Sequence, residues 1–321
     1  MLRSRRIKVG ITIGDPSGIG PAITSKALAK VKGLADFTVI GDAWVFNKVQ
    51  KTETKSQNYG FIDLANVGHK HFKFGKIRAE YGRASIEYLD KAMELVKNKE
   101  VDCLVTCPIS KEAIRLAGFY YSGHTEYLAR HSCDAKDVVM MLLNKWLKFS
   151  LVTRHLPLKK VSSRLNRDNL YKNIILTHRS LSKLFLIKRA RIVVCGLNPH
   201  ASDNGTIGEE ENRIIKPVIK KLKRRAMDIE GPLPADIAIA KAYRKEYDCV
   251  IAMYHDQALI PLKLSGFDKG VNITLGLPFV RTSPLHGTAF DIAGNERLPN
   301  PNPLIEAIEL AVKCTTNLKR V

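Results

Sequence analysis

Three histidines stand just past apolar runs: His155 closes SLVTRH, His200 closes VVCGLNPH, and His255 follows VIAMY. In an open α/β sheet, ligands collect at the carboxyl ends of strands. Three imidazoles delivered there could meet on one divalent cation, and a three-histidine set leaves the open coordination position that catalysis needs. Three unrelated loop or cap histidines would show the same spacing, because metal ligands this far apart in a chain carry no signature of their own.

Other short stretches hold groups suited to anions. In GHTE, His124 and Thr125 could bind a carboxylate or phosphate at a helix N-terminus. Thr125 could equally be a simple cap, with Glu126 in the first turn. The run KLSGFDKGVNITLGLPFVRTSP carries Lys263, Asn272 and Arg281 among glycines and apolar residues. Two cations and an amide in such a loop–strand–loop would suit a phosphate. SPLHGTAFDIAG reads as a tight loop followed by a helix start, with Gly287 in the turn and Asp291 available to a ribose hydroxyl. The acidic run Glu209–Glu211 reads mainly as charge at the positive end of a helix. GDPSGIGPAI spaces its glycines at 14, 18 and 20 and lacks a following Gly-Lys-Ser/Thr. It is therefore neither a dinucleotide fingerprint nor a P-loop, but a close strand-to-helix turn with Pro21 in the first helical turn.

The elements that must position these groups alternate. Strands are predicted at 8–14, 37–42, 101–108, 138–144, 148–155, 191–200, 249–257 and 270–276, several of them continuous apolar runs of the kind found in sheets covered on both faces. Residues 169–185 read as a helix with Leu170, Ile174, Leu181 and Leu184 near one face. The last helix is expected to start with Asn302 as cap and Pro303 at its first position. The alternation predicts an α/β fold with parallel or mixed sheets. Residues 51–76 look like a patternless surface excursion.

The bulk properties narrow the class. A chain of 321 residues with 45% hydrophobic content can bury a sizeable core, split over two domains. It has no apolar run long enough to span a membrane, and its basic N-terminus meets glycine, aspartate and proline too soon for a signal peptide, so a cytoplasmic protein without a membrane partner is expected. The six cysteines form no CxxC pair and read as buried free thiols. The net charge of +21 raises nucleic-acid binding as a different class of function. Its lysines and arginines are scattered and no nucleic-acid motif accompanies them, so a solvated basic surface attracting anionic substrates is the preferred reading.

GDPSGIGPAI, TCPISKEAI, GHTEYLA, TRHLPL, CGLNPHA, GPLPAD, AMYHDQALIPLK and GVNITLGLPFVRTSPLHGTAFDIAG follow one another in an order that closely resembles the 4-hydroxythreonine-4-phosphate dehydrogenase family, from about Lys8 to Val312. The resemblance implies two α/β/α domains with a cleft between them, similar to isocitrate and isopropylmalate dehydrogenases. It places the first domain at 1–118 plus 290–321 and the second at 119–289. It implies a homodimer whose site is shared, with His155 and His200 of one protomer and the partner subunit's His255 holding one divalent metal. Three imidazoles suit zinc best, cobalt next and magnesium least. The family's substrate positions fall on His124, Thr125, Lys263, Asn272 and Arg281; cofactor positions are assigned to Gly287, Asp291 and Asn295, and Asp236 of GPLPAD is the acid–base or metal-supporting candidate. The implied reaction is NAD- or NADP-dependent oxidation of 4-phosphooxy-L-threonine to 2-amino-3-oxo-4-(phosphooxy)butanoate. That product decarboxylates to 3-amino-2-oxopropyl phosphate in pyridoxine 5'-phosphate biosynthesis. Relatives acting on 4-phospho-D-threonate or D-erythronate are the alternative within the family. Two departures stand out: Ala22 occupies a position usually acidic, and Ser202, Asp203 and Asn204 alter a usually glycine-rich loop.

Overall fold

The computed structural model describes residues 5–50, 59–121, 123–132, 137–295 and 297–320. The chain divides into two compact units, Met1–Asp134 with Leu277–Arg320, and Ala135–Gly276. These divisions fall at 134/135 and 276/277, where the sequence suggested 118/119 and 289/290. His124, Thr125 and Arg281 thus belong to the first unit, and the three histidines, Lys263 and Asn272 to the second.

The first unit opens with β1 (Lys8–Thr12), α1 (Gly20–Lys30), β2 (Asp36–Gly41), α2 (Ala43–Lys48), β3 (Tyr59–Asp63), α3 (Ala79–Lys97), β4 (Cys103–Thr106), α4 (Lys111–Leu116) and α5 (His124–His131). The second contains β5 (Val139–Leu143), β6 (Lys148–Leu151), α6 (Val161–Arg164), α7 (Arg167–Phe185), β7 (Ile192–Cys195), α8 (Lys216–Lys223), β8 (Ile229–Leu233), α9 (Ala235–Tyr243), β9 (Cys249–Ala252), α10 (His255–Gly266) and β10 (Val271–Leu275). The first unit is completed by β11 (Val280–Pro284) and α11 (Asn302–Leu318).

Within the first unit the strands lie in the order β3-β2-β1-β4-β11, all parallel. Parallel strands need crossover helices that cover the faces of the sheet, which is why β1 and β4 read as continuous apolar runs. The second unit has the order β10-β5-β6-β9-β7-β8, with antiparallel pairs at β10/β5 and β5/β6 and parallel pairs beyond. The α/β fold with parallel and mixed sheets is the one the alternation predicted. No helix among the described residues is long and apolar enough to cross a membrane. Cys103, Cys107, Cys195, Cys249 and Cys314 are buried and free, and Cys133 lies outside the described residues.

Several expectations need correcting. β3 pairs along its whole length with β2, so part of the supposed excursion at 51–76 belongs to the sheet; residues 51–58 lie outside the described residues. Strand β9 ends at Ala252 and His255 already opens α10, whose Gln257 caps the strand's exit by accepting from the Met253 amide. Helix α11 begins with Asn302 itself. Pro301 takes the cap position, and the Asn302 amide donates to Asn300 Oδ1 (3.0 Å).

Candidate active site

Two groupings of side chains stand at strand ends, one in each unit. In the second unit the β6/β9 pairing continues past both strands. The Thr153 hydroxyl donates to the Met253 carbonyl (2.7 Å), as does the Thr153 amide (3.2 Å). His155 and His255 each lie two residues further on, and their rings come to 5.8 Å between centroids at an angle of 43°. Both line a cavity of about 280 Å³ together with Arg154, Tyr254 and Asp256. His155 takes a positive φ of 43°, which turns the chain sharply at that point. The Asp256 carboxylate lies 3.1 Å from His255 Nδ1. A carboxylate there favours the tautomer protonated at Nδ1 and leaves Nε2 as the electron-pair donor, the usual arrangement behind a metal-binding histidine. Asp256 had no spacing signal beyond its place beside His255.

His200 is held differently. Residues His200 to Asn204 all have positive φ, so the segment after β7 forms a left-handed turn of five non-glycine residues. Its approach is clamped. Glu211, fully buried, accepts from the Leu197 and Asn198 amides (2.8 Å each) and from Asn198 Nδ2 (2.8 Å). Gln257 of α10 accepts from the Met253 amide (2.7 Å) and donates to the Gly196 carbonyl (2.9 Å), tying the loop that leads to His200 to the one that leads to His255. A Cβ on Gly196 would lie 2.9 Å from Ala201 Cα and 3.1 Å from Glu211 Oε1, so only glycine leaves room for the turn. The acidic run is thus not mainly helix-end charge: Glu211 and Glu210 hold the loop, and hydrogen bonds from Ser162 and Asn198 keep Glu210 below the usual carboxylate range.

These donors suit a divalent cation only in part within a single chain. Two imidazoles stand close enough to share one, but among the described residues no three His, Cys, Asp or Glu side chains gather around a common point. The rings that approach are those of 155 and 255; the resemblance assigns 155 and 200 to one protomer and joins them to the partner subunit's His255.

The first unit's grouping gathers at the end of β4, which Arg281 reaches from the second position of β11. Arg281, 1% exposed, lies within β11 and donates from Nε (3.1 Å) and Nη2 (2.5 Å) to the Thr106 hydroxyl. Burial pushes its guanidinium pKa down to about 9, against a smaller upward pull from the Glu126 carboxylate. His124 opens α5. Burial, and then the Arg281 charge, hold its imidazole well below the ordinary value, so it is neutral at physiological pH. The ring is hydrogen-bonded to the Cys107 carbonyl. Its Nε2 is sealed from solvent, although the residue is partly exposed, and has no hydrogen-bond partner among the described residues. With Nδ1–H donated to the carbonyl, Nε2 is an acceptor. Thr125 does not cap this helix. Gly123 takes the cap position, and Thr125 is buried in the first turn.

The other candidates lie each within its own unit. Lys263 is exposed on α10, with Nζ 5.2 Å from the Phe267 ring centroid, and Asn272 is buried within β10. With Arg281 inside β11, the three come from a helix and two strands rather than from a loop–strand–loop. Gly287 has open space around it, Asp291 is exposed, and Asn295 Oδ1 accepts from the Arg297 amide (2.9 Å). Their loop makes turns and no helix before α11. It is fixed to the β1–α1 turn by the Ile19 amide, which donates to the Thr288 carbonyl (3.0 Å). In that turn Gly14 has φ +72° and a Cβ there would sit 2.3 Å from the Pro108 carbonyl oxygen, which explains the glycine. Asp15 of the same turn is fully buried. It takes the Ser17 amide (2.9 Å) and hydroxyl (3.1 Å) on Oδ1, while Oδ2 has no partner among the described residues. Asp236 is exposed in the first turn of α9, and Ala22 is buried in α1.

A parallel α/β unit with a buried arginine aimed at the last residue of β4, and a mixed unit with paired imidazoles past its strand ends, define an α/β enzyme whose chemistry collects where strands turn into loops. Residues 20–311 match the family described as pyridoxal phosphate biosynthetic protein PdxA, and the chain belongs to that family of dehydrogenases. It is 44% identical to a 4-hydroxythreonine-4-phosphate dehydrogenase of Sulfurihydrogenibium sp. (strain YO3AOP1), over 98% of this chain and 99% of the relative. It is 38% identical to a D-threonate 4-phosphate dehydrogenase of Cupriavidus necator, over 96% and 97%. Among solved structures, 4-hydroxythreonine-4-phosphate dehydrogenase from Klebsiella pneumoniae superposes with a TM-score of 0.85 at 34% identity, covering 98% of this chain and 99% of that one.

Proposed function

We propose that this protein oxidises 4-phosphooxy-L-threonine with NAD⁺ or NADP⁺, giving 2-amino-3-oxo-4-(phosphooxy)butanoate, which loses CO₂ to yield 3-amino-2-oxopropyl phosphate. The observation that carries this reading is the pairing of a buried guanidinium, Arg281, with a neutral imidazole, His124, whose Nε2 accepts. Such a pair asks for an anion and a hydrogen-bond donor in one small molecule, and a phosphorylated amino alcohol has both. Lys263 and Asn272 are assigned to the same phosphate, and Thr125 to the substrate beside His124.

Oxidation moves a hydride from the carbinol carbon to the nicotinamide and releases the hydroxyl proton. The loop of Gly287, Asp291 and Asn295 is assigned to the cofactor and Asp236 to proton transfer or metal support. A divalent cation held by His155, His200 and the partner subunit's His255 would lower the pKa of that hydroxyl and polarise the carbonyl that replaces it; imidazole donors favour zinc or cobalt over magnesium. Asp256 and the Glu211–Gln257 clamp orient these imidazoles. A homodimer is supported by α10, which starts at His255 and exposes Ile260 and Leu264 four residues apart, with Phe267 exposed just beyond its end.

The name of the Cupriavidus relative supports a second reading, oxidation of a 4-phosphorylated D-threonate. The two substrates share phosphate and hydroxyl and differ where an ammonium replaces a hydroxyl. Purified protein supplied with zinc or cobalt and both nicotinamide cofactors should reduce one of them with 4-phosphooxy-L-threonine faster than with 4-phospho-D-threonate. Turnover of the threonate alone would replace the first reading with the second, and turnover of neither would remove both.

A further inference from the structure

The first residue of the TCPISKEAI stretch touches the proposed anion site. Thr106 ends β4, is fully buried, and receives both the Nε and the Nη2 hydrogens of Arg281 on one oxygen. A guanidinium is flat and rigid, so fixing one edge fixes the plane and the bearing of its remaining N–H groups. This partner is a neutral hydroxyl, so its bonds orient the arginine without adding a charge to its surroundings. The next residue does the same for the neighbouring group: the Cys107 carbonyl takes the His124 ring hydrogen and so decides which nitrogen is left to accept.

We infer that Thr106 is a positioning residue for the anion site, holding the Arg281 guanidinium in the orientation that receives the substrate's phosphate. This rests on the reading that Arg281 binds that phosphate. Register explains why a threonine can serve: β11 pairs with β4 so that Arg281 lies opposite Leu104, and Thr106 is the next residue of β4 on the same face as Leu104.

The test uses Thr106→Val, which keeps the shape and removes the hydroxyl, Thr106→Ser, which restores it, and Arg281→Gln. Inorganic phosphate binding is measured by calorimetry, with KM and kcat measured separately. Thr106→Val should weaken phosphate binding and raise KM about tenfold, with kcat changed far less, and Thr106→Ser should recover most of the loss. A Thr106→Val protein that binds phosphate as the wild type does, or loses kcat alone, overturns the inference. Arg281→Gln separates the underlying reading: if it too binds phosphate undiminished, Arg281 is not the anion residue. If Thr106→Val does not melt cooperatively, Thr106→Cys, similar in size to Thr106→Ser but a poorer acceptor, takes its place. Weakened phosphate binding in that variant supports the inference and unchanged binding sinks it.

Discussion

Asp15 is the residue whose environment most opposes its chemistry. It has no exposed surface, and one carboxylate oxygen lacks a hydrogen-bond partner among the described residues. Burial pushes its pKa up to about 6, outweighing the two hydrogen bonds from Ser17. A carboxyl whose folded pKa lies above its unfolded one favours the folded state fully below the unfolded value, near 4. That contribution is lost as pH rises through about 6, above which folding must bury a charge. A shift of this size corresponds to stability on the order of 3 kcal/mol. Asp15→Asn should therefore be more stable than the wild type at pH 8 by roughly 1–3 kcal/mol in denaturant unfolding, with the gain vanishing near pH 4. An equal difference at both pH values would show that the charge is not what burial penalises. A chain that retains so unfavourable a group at a turn hydrogen-bonded to the proposed cofactor loop has a use for it. The same variant should lose activity while gaining stability.

At the scale of elements, the left-handed turn at 200–204 departs furthest from what a chain of L-residues prefers. Each non-glycine residue held at positive φ costs about 1 kcal/mol, with asparagine and aspartate the least penalised. Ser202 has φ +71° and a buried hydroxyl with no partner among the described residues. Ser202→Gly should stabilise the protein by about 1–2 kcal/mol in the same unfolding measurement, since it removes both the backbone strain and the unsatisfied hydroxyl. A destabilised variant would mean that the hydroxyl has a partner when the protein is folded in solution. Strand-scale features were otherwise legible where burial made them so. The apolar runs marked β1, β2, β4, β5, β6, β7, β9 and β10 to within a few residues. β3 and β8 were missed because they are only partly buried and need no apolar run, and β8 even contains Pro232. β11 was missed for the opposite reason. It is wholly buried, but its polar residues are satisfied internally, Arg281 on Thr106 and the Thr282 hydroxyl on the Ala307 carbonyl (2.7 Å). The candidate site divides the same way. The histidines could be noticed because each follows an apolar run. Asp256, Glu211, Gln257 and Thr106 act through hydrogen bonds to groups distant in the chain or through local geometry, and no spacing in the sequence announces either.

At the scale of the molecule, the question is where the third imidazole comes from. One chain brings His155 and His255 to 5.8 Å, and among the described residues no group of three metal-binding side chains includes them. The proposed dimer answers this by letting each site draw on two chains, and it has a consequence that a self-contained site cannot have. His155→Ala and His255→Ala homodimers should both be inactive. A heterodimer of the two, isolated through different affinity tags, contains one site that lacks both imidazoles and one that lacks neither, so it should recover about half of the wild-type activity. If His155 and His255 of the same chain instead serve one site, every site in that heterodimer lacks one ligand and the activity stays absent. Metal content gives the same answer without turnover: about one tightly held cation per heterodimer for a shared site, and none for a self-contained one. The exposed Ile260 and Leu264 of α10 supply the control, because Leu264, 84% exposed, costs little to replace in a lone chain. Leu264→Asp should leave the melting transition cooperative, shift sedimentation toward the monomer, and abolish metal uptake together with activity. A monomer that still took up metal tightly would end the shared-site reading even if the heterodimer proved active.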